Sequence, residues 1–259
     1  MLLSVKDIWL VKHWDLIKTL TVNDLKVKYQ HTYLGLVWSL LSPLLLLMVL
    51  YFIFYNVRQM EANYAQYLLV GILTWRFFTV ATSSSLGVVK QNAALLSNIV
   101  LPSEIFVFTK NLSALISFTL EFIILIPLVA LITGSISPYA ILFPMIHLLF
   151  LLVTFGLSLI LASLYPYFRD LAEIWPVIIQ IGFFLCPVIY QISIIPESIR
   201  GIYLLNPVTL VMMMYRDIVL YGVLPSLAGM CYVLLFGTGI VITGHYLFNK
   251  LKKRFVEVI

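Results

Sequence analysis

The chain has 259 residues, of which 62% are hydrophobic and only 10% are charged, and its net charge is +5. Because soluble domains carry about 25% charged residues, this composition excludes an ordinary soluble enzyme and gives no basis for nucleic-acid binding. It predicts an all-α integral membrane protein with a single transmembrane domain over 1–259. The sequence has no GxxxxGK[ST] or GxGxxG loop, so any ATP that drives the protein must bind to another chain.

The first 34 residues have the pattern of an amphipathic helix. At about 100° per residue, Trp9, Leu16 and Leu20 share one face, whereas Asp15 and Lys18 lie on the opposite face. Two tryptophans and five lysines in this segment suit a helix that lies in the membrane interface. We therefore assign 1–34 to an interfacial or gate helix, with a soluble cytoplasmic arm as the alternative.

Six apolar segments follow within 35–249, before a basic tail at 250–259. They are 35–56, 67–89, 105–133, 139–168, 174–195 and 224–248. Each is long enough to cross a hydrocarbon core of roughly 30 Å at about 1.5 Å per residue. The N-terminal arm carries five lysines and the tail four basic residues, so the positive-inside rule predicts that both termini are cytoplasmic.

Two charged residues lie deep within predicted spans. Arg76 is in the second span and Glu121 is in the third. A lone charge at membrane depth is costly, so each residue is expected to find a partner. A structural ion pair is one interpretation, and contact of Arg76 with a substrate phosphate is the other.

The segment between the second and third spans is too short to cross a membrane and too apolar for a simple loop. We predict a short helix near the cytoplasmic surface that ends before Pro102. The residues of this helix that are candidates for contact with a partner protein are Asn92, Leu95, Leu96, Ser97, Asn98, Ile99 and Val100.

Aromatic residues collect toward the outer ends of the first and fifth spans. Aromatic rings with some phenol groups suit the C–H faces and hydroxyl groups of sugars, and so predict a channel wall. A belt of lipid-facing aromatic residues at the membrane interface is the alternative. The candidate channel residues are Tyr51, Phe52, Tyr55, Phe183, Phe184 and Tyr190.

A short hairpin follows the fifth span. The segment 197–222 has two apolar halves that are too short to cross, and Asn206-Pro207 marks its turn because proline disfavours a helical residue before it. We predict a re-entrant outer hairpin that acts as a gate, with a static cap as the alternative. The candidate gate residues are Pro196, Asn206, Pro207, Met212, Met213, Met214, Arg216 and Asp217.

Four stretches resemble the membrane-spanning (permease) subunit of ABC polysaccharide exporters, the group that moves O-antigen and teichoic-acid polymers. Three of them are KVKYQHTYLGLVWSLLSPLL at 26–45, YLLVGILTWRFF at 67–78 and NAALLSNIVLPSEIF at 92–106. The fourth runs from RDLAEIW at 169 to YRDIVLYG at 222. Arg76 departs from the pattern, because an uncharged polar residue is expected after the tryptophan.

The resemblance implies a homodimer that works with two copies of a separate ATPase subunit, which binds ATP and magnesium. The dimer would form a channel for a lipid-linked polysaccharide in the bacterial inner membrane, and the short cytoplasmic helix would couple it to the ATPase. The chain itself would then be a non-catalytic transporter subunit that contacts membrane lipids. The alternatives are an ABC permease for another substrate, such as a lipid or drug, and an ion-coupled carrier. A membrane-bound transferase would need a histidine or aspartate cluster at the interface, which the sequence does not provide.

Overall fold

The computed structural model of the protein describes residues 13–30, 35–58, 63–92, 102–133, 137–252 and 255, and only the backbone at 36, 55–58, 129, 132 and 133. Every regular element in these ranges is helical. The α-helices are α1 (Trp14–Gln30), α2 (Leu36–Arg58), α3 (Tyr64–Leu86), α4 (Val88–Gln91), α5 (Glu104–Thr133), α6 (Phe143–Leu164), α7 (Leu171–Leu185), α8 (Glu197–Leu204), α9 (Pro207–Arg216) and α10 (Leu227–Leu251).

Four segments of the described chain are long and apolar enough to cross a membrane. They are Val37–Phe54 in α2, Glu104–Leu128 in α5, Pro138–Leu164 through α6 and Leu227–Leu251 in α10. A π-helical turn, Asp217–Tyr221, continues α9. A fifth crossing is obtained if α8 and this extended α9, which meet at a bend of 96°, count as one span. The prediction of an all-helical integral membrane protein is confirmed, whereas six crossings remain a prediction because α3 and the shorter α7 are not among these segments.

Helix α3 lies at the centre of the bundle. It packs against α2, α5 and α6, and also contacts α7 and α9. Leu69 and Leu73 have no exposed surface, and they belong to one hydrophobic core with residues of α5, α6 and α9. The hydroxyl groups of Thr82 and Ser85 donate to carbonyl oxygens one turn earlier, at 2.7 and 2.8 Å. Because protein surrounds α3, the helix can be less apolar than a lipid-facing span.

The fifth apolar run is α-helical only over its first half, and a 3-10 helix at Ile192–Ile194 follows later. Helix α7 ends at Leu185, and Cys186 is already extended with φ −81° and ψ 148°. Pro187 explains this end, because the residue before a proline is pushed out of the helical region. With 15 residues, α7 is about 22 Å long, which is shorter than the hydrocarbon core. The expectation of one crossing helix through 174–195 is therefore wrong beyond Leu185.

The hairpin turns where the sequence predicts it. Asn206 has an extended backbone, and its side-chain Oδ1 accepts a 3.0 Å hydrogen bond from the backbone nitrogen of Val208. Pro207 occupies the first helical position of α9, where its missing N–H is not needed. This N-cap starts α9 directly after α8 and produces the 96° bend.

Helices α6 and α10 pack closely through glycines. A Cβ atom on Gly156 would lie 2.7 Å from the backbone nitrogen of Val241, and one on Gly244 would lie 2.7 Å from the carbonyl oxygen of Gly156. Nothing lies within 4 Å of a Cβ placed on Gly239. The close approach of the two helices therefore depends on Gly156 and Gly244, as in other membrane helix pairs with small residues at their contact.

Replacing Gly156 by alanine should destabilise the folded chain by about 1–3 kcal/mol, because the added methyl group meets backbone atoms that cannot move independently. The measurement is the thermal unfolding midpoint of the purified chain in detergent. Gly239→Ala on α10 is the matched control and should leave the midpoint unchanged or slightly raised. Equal midpoints for the two variants would contradict the glycine contact.

Candidate functional site

A groove runs along α3 between α2 and α7. One part of it has a volume of about 450 Å³, and a neighbouring recess has a volume of about 470 Å³. Phe184 lines both parts, so we name the two together the lateral groove. Its first part is lined by Pro43, Leu46, Trp75, Arg76, Gln180 and Phe183, and the recess by Phe54, Ile189, Tyr190, Pro196, Ile199 and Tyr203.

Three of the predicted channel residues lie in the lateral groove. Phe183 packs edge-on against Trp75, with ring centroids 6.3 Å apart, and Phe184 is 62% exposed. Tyr190 lines the recess, and its hydroxyl hydrogen is shared between the carbonyl oxygens of Phe184 and Leu185, at 3.1 and 2.9 Å. Tyr190 therefore has a structural task, since it satisfies carbonyls at the end of α7.

The other predicted channel residues lie elsewhere or outside the described atoms. The ring of Tyr51 stacks on Tyr64 with centroids 6.3 Å apart, and Phe52 is 72% exposed on α2. Neither lines the lateral groove. The side chain of Tyr55 lies outside the described atoms, and its role stays a prediction. Phe54, which the sequence did not single out, is the α2 aromatic residue in the recess.

Arg76 and Glu121 form the ion pair that one interpretation of the sequence proposed. Nε of Arg76 lies 3.4 Å from Oε2 of Glu121, and Nη1 donates to the hydroxyl oxygen of Ser42 at 2.9 Å. The Glu121 side chain is 4% exposed and that of Arg76 is 27% exposed. Pairing removes much of the cost of two charges in the bundle. The exposed part of Arg76 lines the lateral groove, so contact with a substrate phosphate stays a prediction.

The N-terminal helix reaches the same region. Lys28 Nζ and the hydroxyl group of Tyr29 each lie 3.0 Å from the hydroxyl oxygen of Ser117, one turn before Glu121 on α5. Asp24 accepts a 2.8 Å charged hydrogen bond from Lys110 of α5. Helix α1 is thus held against α5 by polar contacts, which amphipathicity alone did not indicate.

The guanidinium group of Arg216 is buried at the end of α9, with only 2% of the residue exposed. Nη1 donates to the hydroxyl oxygen of Tyr67 at 2.7 Å, and Nη2 donates to the carbonyl oxygens of Val188 and Tyr67 at 3.0 and 3.3 Å. A Cβ atom on Gly71 would lie 2.8 Å from Nη2 of Arg216 and 2.7 Å from the Val188 oxygen. The glycine therefore leaves the space in which α3, α9 and the segment after α7 meet.

Two tyrosines complete this arrangement. The hydroxyl group of Tyr64 donates to the carbonyl oxygen of Ile189 at 2.9 Å, and that of Tyr67 donates to the carbonyl oxygen of Tyr190 at 2.6 Å. Three successive carbonyls of a non-helical segment therefore receive donors, as unpaired backbone at membrane depth requires. We name Arg216, Tyr64 and Tyr67, with carbonyls 188–190, the outer clasp.

Sequence reasoning identified the need for the outer clasp but not its donors. The prolines of the fifth run predict freed carbonyls that need partners, and Pro187 is the one that creates the broken segment. Tyr64 and Ile189 are 125 positions apart, so nothing local links them. Tyr67, which opens the YLLVGILTWRFF stretch, was the sequence feature that could have indicated a donor for these carbonyls.

The predicted gate residues divide between core and surface. Met212 and Met214 are buried in the core, whereas Met213 and Asp217 line a separate cavity near the hairpin. The side-chain amide of Asn206 donates to Sγ of Cys186 at 3.2 Å, which joins the hairpin turn to the end of α7. Pro196 and Pro207 flank α8, and Arg216 belongs to the outer clasp.

The predicted coupling residues Leu95, Leu96, Ser97, Asn98, Ile99 and Val100 lie outside the described residues. Asn92 ends α4, and its side-chain amide donates to the carbonyl oxygen of Val88 at 2.8 Å. On the other flank, Oε1 of Glu104 lies 3.7 Å from Nδ1 of His245 and 3.5 Å from Nζ of Lys252. Glu104 is 2% exposed, so the start of α5 is anchored to the end of α10.

No three His, Cys, Asp or Glu side chains come together as a metal site in the part of the chain that the structure describes. The lateral groove instead offers aromatic faces beside a few hydrogen-bonding groups. Such a surface suits a ligand that has both apolar and hydroxyl-bearing faces, and it can let that ligand slide without tight binding.

Comparison with known proteins gives consistent relatives. The profile of the ABC-2 type transporter family matches residues 15–220, which include the lateral groove and the outer clasp. The chain is 32% identical to an O-antigen export system permease protein RfbA of Klebsiella pneumoniae, over 95% of each chain. It is 28% identical to the O-antigen export system permease protein RfbA of Myxococcus xanthus, over 96% of this chain and 97% of that one. It is 20% identical to the polysialic acid transport protein KpsM of Escherichia coli, over 85% and 87%.

Replacing Arg216 by lysine should destabilise the chain by about 2–3 kcal/mol, because one ammonium group cannot serve both Tyr67 and Val188 and leaves a buried carbonyl unpaired. The measurement is the thermal unfolding midpoint in detergent. The matched control is Arg169→Lys at an exposed position before α7. An unchanged midpoint for Arg216→Lys would contradict the role of the outer clasp.

Proposed function

The chain belongs to the ABC-2 type transporter family, and from this we infer that it is the membrane subunit of an ATP-driven exporter of a lipid-linked polysaccharide. Its relatives include O-antigen export permeases and a polysialic acid transport protein, which supports a glycan substrate. The substrate would be an O-antigen-like or teichoic-acid-like polymer that crosses the bacterial inner membrane. The observation that carries the proposal is the aromatic lateral groove, which lies inside the matched region.

The lateral groove is half of the proposed channel. On its α7 side, Ile174, Val177 and Ile181 are each about half exposed, and so is Ile53 on the α2 side. Exposed apolar side chains on these helices suit either lipid or protein, but Arg76 and Gln180 in the groove favour a protein-covered or water-filled space over lipid. We propose that a second copy of this chain covers the groove and that the two halves together form the path for the polymer.

We propose six crossings with both termini in the cytoplasm. Helix α3, with 23 residues, is about 34 Å long. Three of the helices packed against it, α2, α5 and α6, are themselves long and apolar enough to cross a membrane. The fifth crossing would consist of α7 and the broken segment after it. Basic residues of the N-terminal arm and of the tail support the orientation. The division into 1–34, 35–249 and 250–259 follows from this topology.

The chain is proposed to be non-catalytic and to receive its energy from a separate ATPase. Two ATPase copies would bind ATP and magnesium, and the segment 92–100 would contact them. The anchor of Glu104 to His245 and Lys252 supports this role, because it ties the end of that segment to the last helix. Movement of the ATPase would then reach α5 and α10 together.

An ion-coupled carrier is less well supported. Such a carrier needs an ionisable group in the membrane that exchanges its ion during the cycle. Glu121, the acidic residue at depth, is already paired with Arg76 and 4% exposed. A permease for a lipid or a drug is the other alternative, and the names of the relatives favour a glycan over both.

Changing Leu96 and Ile99 to aspartate should abolish association with the partner ATPase, because charges would replace the apolar contact. The measurement is co-purification of the ATPase with the membrane-inserted chain. Ile202→Asp is the matched control, since Ile202 is 68% exposed on the outer hairpin, and the ATPase should remain bound. Normal co-purification with the double variant would contradict the coupling site.

We also propose that the hairpin of α8 and α9, with the outer half of the fifth span, closes the exit and moves away from the outer end of α2 during export. Cysteines at Phe54 and Tyr203, which line one recess, would be joined by a bismaleimide that contains a disulfide, in a Cys231→Ser background. Export should stop and should resume when a reductant cleaves the linker. Each single-cysteine variant treated with the same reagent is the control. Undiminished export with the link complete would identify the hairpin as a static cap.

A further inference from the structure

A separate polar cavity lies next to the outer end of the lateral groove. It has a volume of about 200 Å³ and shares no lining residue with the groove. Its polar lining includes Gln191, Ser193, Arg216 and Asp217, and its aromatic lining includes Tyr67 and Tyr221. The segment 187–195 borders both cavities, because Ile189 and Tyr190 line the recess whereas Pro187 and Gln191 line this one. We name it the outer polar pocket.

One charged group of the pocket has hydrogen-bonding capacity that a ligand can reach. Nη1 and Nη2 of Arg216 serve the outer clasp, and its Nε is enclosed by protein, so the guanidinium group contributes positive charge and no free donor. The carboxylate of Asp217 is half-buried at the wall of the pocket, and no described residue pairs with it. A carboxylate accepts several hydrogen bonds, so hydroxyl groups of a ligand in this cavity can donate to it.

The charges of the pocket indicate what kind of ligand fits. One guanidinium and one carboxylate balance each other, so the pocket favours neither a free anion nor a free cation. Ser193 Oγ donates to Oε1 of Gln191 at 3.4 Å, which leaves the amide nitrogen of Gln191 as a donor, and Tyr221 and Met213 add apolar surface. A neutral ring that carries several hydroxyl groups matches this set, because its hydroxyls can donate to Asp217 and accept from Gln191 while its C–H faces meet the apolar surface.

The size of the pocket sets the number of sugar rings that it can hold. A volume of about 200 Å³ has room for one sugar ring. The pocket is open on one side, so the neighbouring sugar residues of a longer chain would lie outside it.

We propose that the outer polar pocket binds a single sugar residue of the exported glycan at the outer face, through Asp217 and Gln191. The proposal rests on the proposed function for the identity of the glycan. The lining residues named above all belong to one chain, so their binding of a sugar is measurable without the partner ATPase or ATP.

The test uses the full chain in lipid nanodiscs, with Ile192→Cys as a reporter that lines the pocket without contributing a polar group. Cys231 is exposed and is changed to serine, and the buried Cys186 is kept. The measured quantity is the rate of alkylation by a water-soluble maleimide. The probes are the methyl glycosides of glucose, galactose, mannose and rhamnose, with glycerol as a polyol that has no ring. Ser198→Cys on α8 is the matched control position, since it is exposed and lies outside the pocket lining.

The expected result is that at least one glycoside at millimolar concentration slows alkylation at position 192 several-fold and leaves position 198 unaffected. Asp217→Ala should remove this protection, and Asp217→Asn, which keeps the shape of the side chain, should weaken it. An unchanged alkylation rate at position 198 in these variants shows that the hairpin remains folded.

Several results would overturn the proposal: no protection by any glycoside, equal protection by glycerol, equal slowing at position 198, or protection that persists in Asp217→Ala. Failure of this test with ATPase coupling intact would leave the proposed function standing. Glycoside protection in a chain that binds no ATPase would overturn the proposed function instead.

Discussion

Hydrogen bonds from Arg216, Tyr64 and Tyr67 to the carbonyl oxygens of 188–190 allow a non-helical segment inside the helical bundle. Pro187 ends α7 and leaves the carbonyl groups of 188–190 without helical partners, and in lipid each such group costs several kcal/mol. Arg216 from α9 and Tyr64 and Tyr67 from α3 pair with all three carbonyls. Because these donors belong to two different helices, the clasp also fixes the hairpin against the centre of the bundle. The recess of the lateral groove is built from this fixed segment.

The same physical rule accounts for the other polar groups of the bundle. Arg76 and Glu121 pair at the side of the lateral groove, and hydroxyl groups of α3 bond to their own helix. Glu104 at the start of α5 is met by His245 and Lys252 near the end of α10. The groove that remains between α2 and α7 therefore has aromatic walls with few strong binding groups. Such a path can pass a long hydroxyl-rich polymer, whereas tightly placed charges would hold it.

The sequence predicts the parts of the fold that depend on local pattern. Apolar length identifies α2, α5, α6 and α10, and Asn206-Pro207 identifies the bend between α8 and α9. The sequence does not identify α3 as the central helix. Helix α3 is less apolar than a lipid-facing span, and only the helices packed around it explain this. The end of α7 at Leu185 follows from Pro187, yet the apolar run continues to residue 195 and suggests a longer helix.

The candidate site shows a similar division. The sequence singles out Arg76, Glu121, Phe183 and Phe184, because charges and aromatic clusters are unusual at membrane depth. It assigns Arg216 to a gate and does not identify its bond to Tyr67, since the two residues lie 149 positions apart. Contacts of that separation are set by the packing of helices, which a single sequence does not specify.

The central claim is that the exported glycan passes along the lateral groove, and site-specific photocrosslinking in exporting cells tests it directly. A photoreactive phenylalanine analogue would replace Phe184, which lines both parts of the groove, or Ile242, which is 65% exposed on α10 away from it. The account predicts that the analogue at position 184 forms adducts with the glycan only when the partner ATPase is active, and that the analogue at position 242 forms none. Adducts at position 242, or continued export with no adduct at position 184, would contradict it.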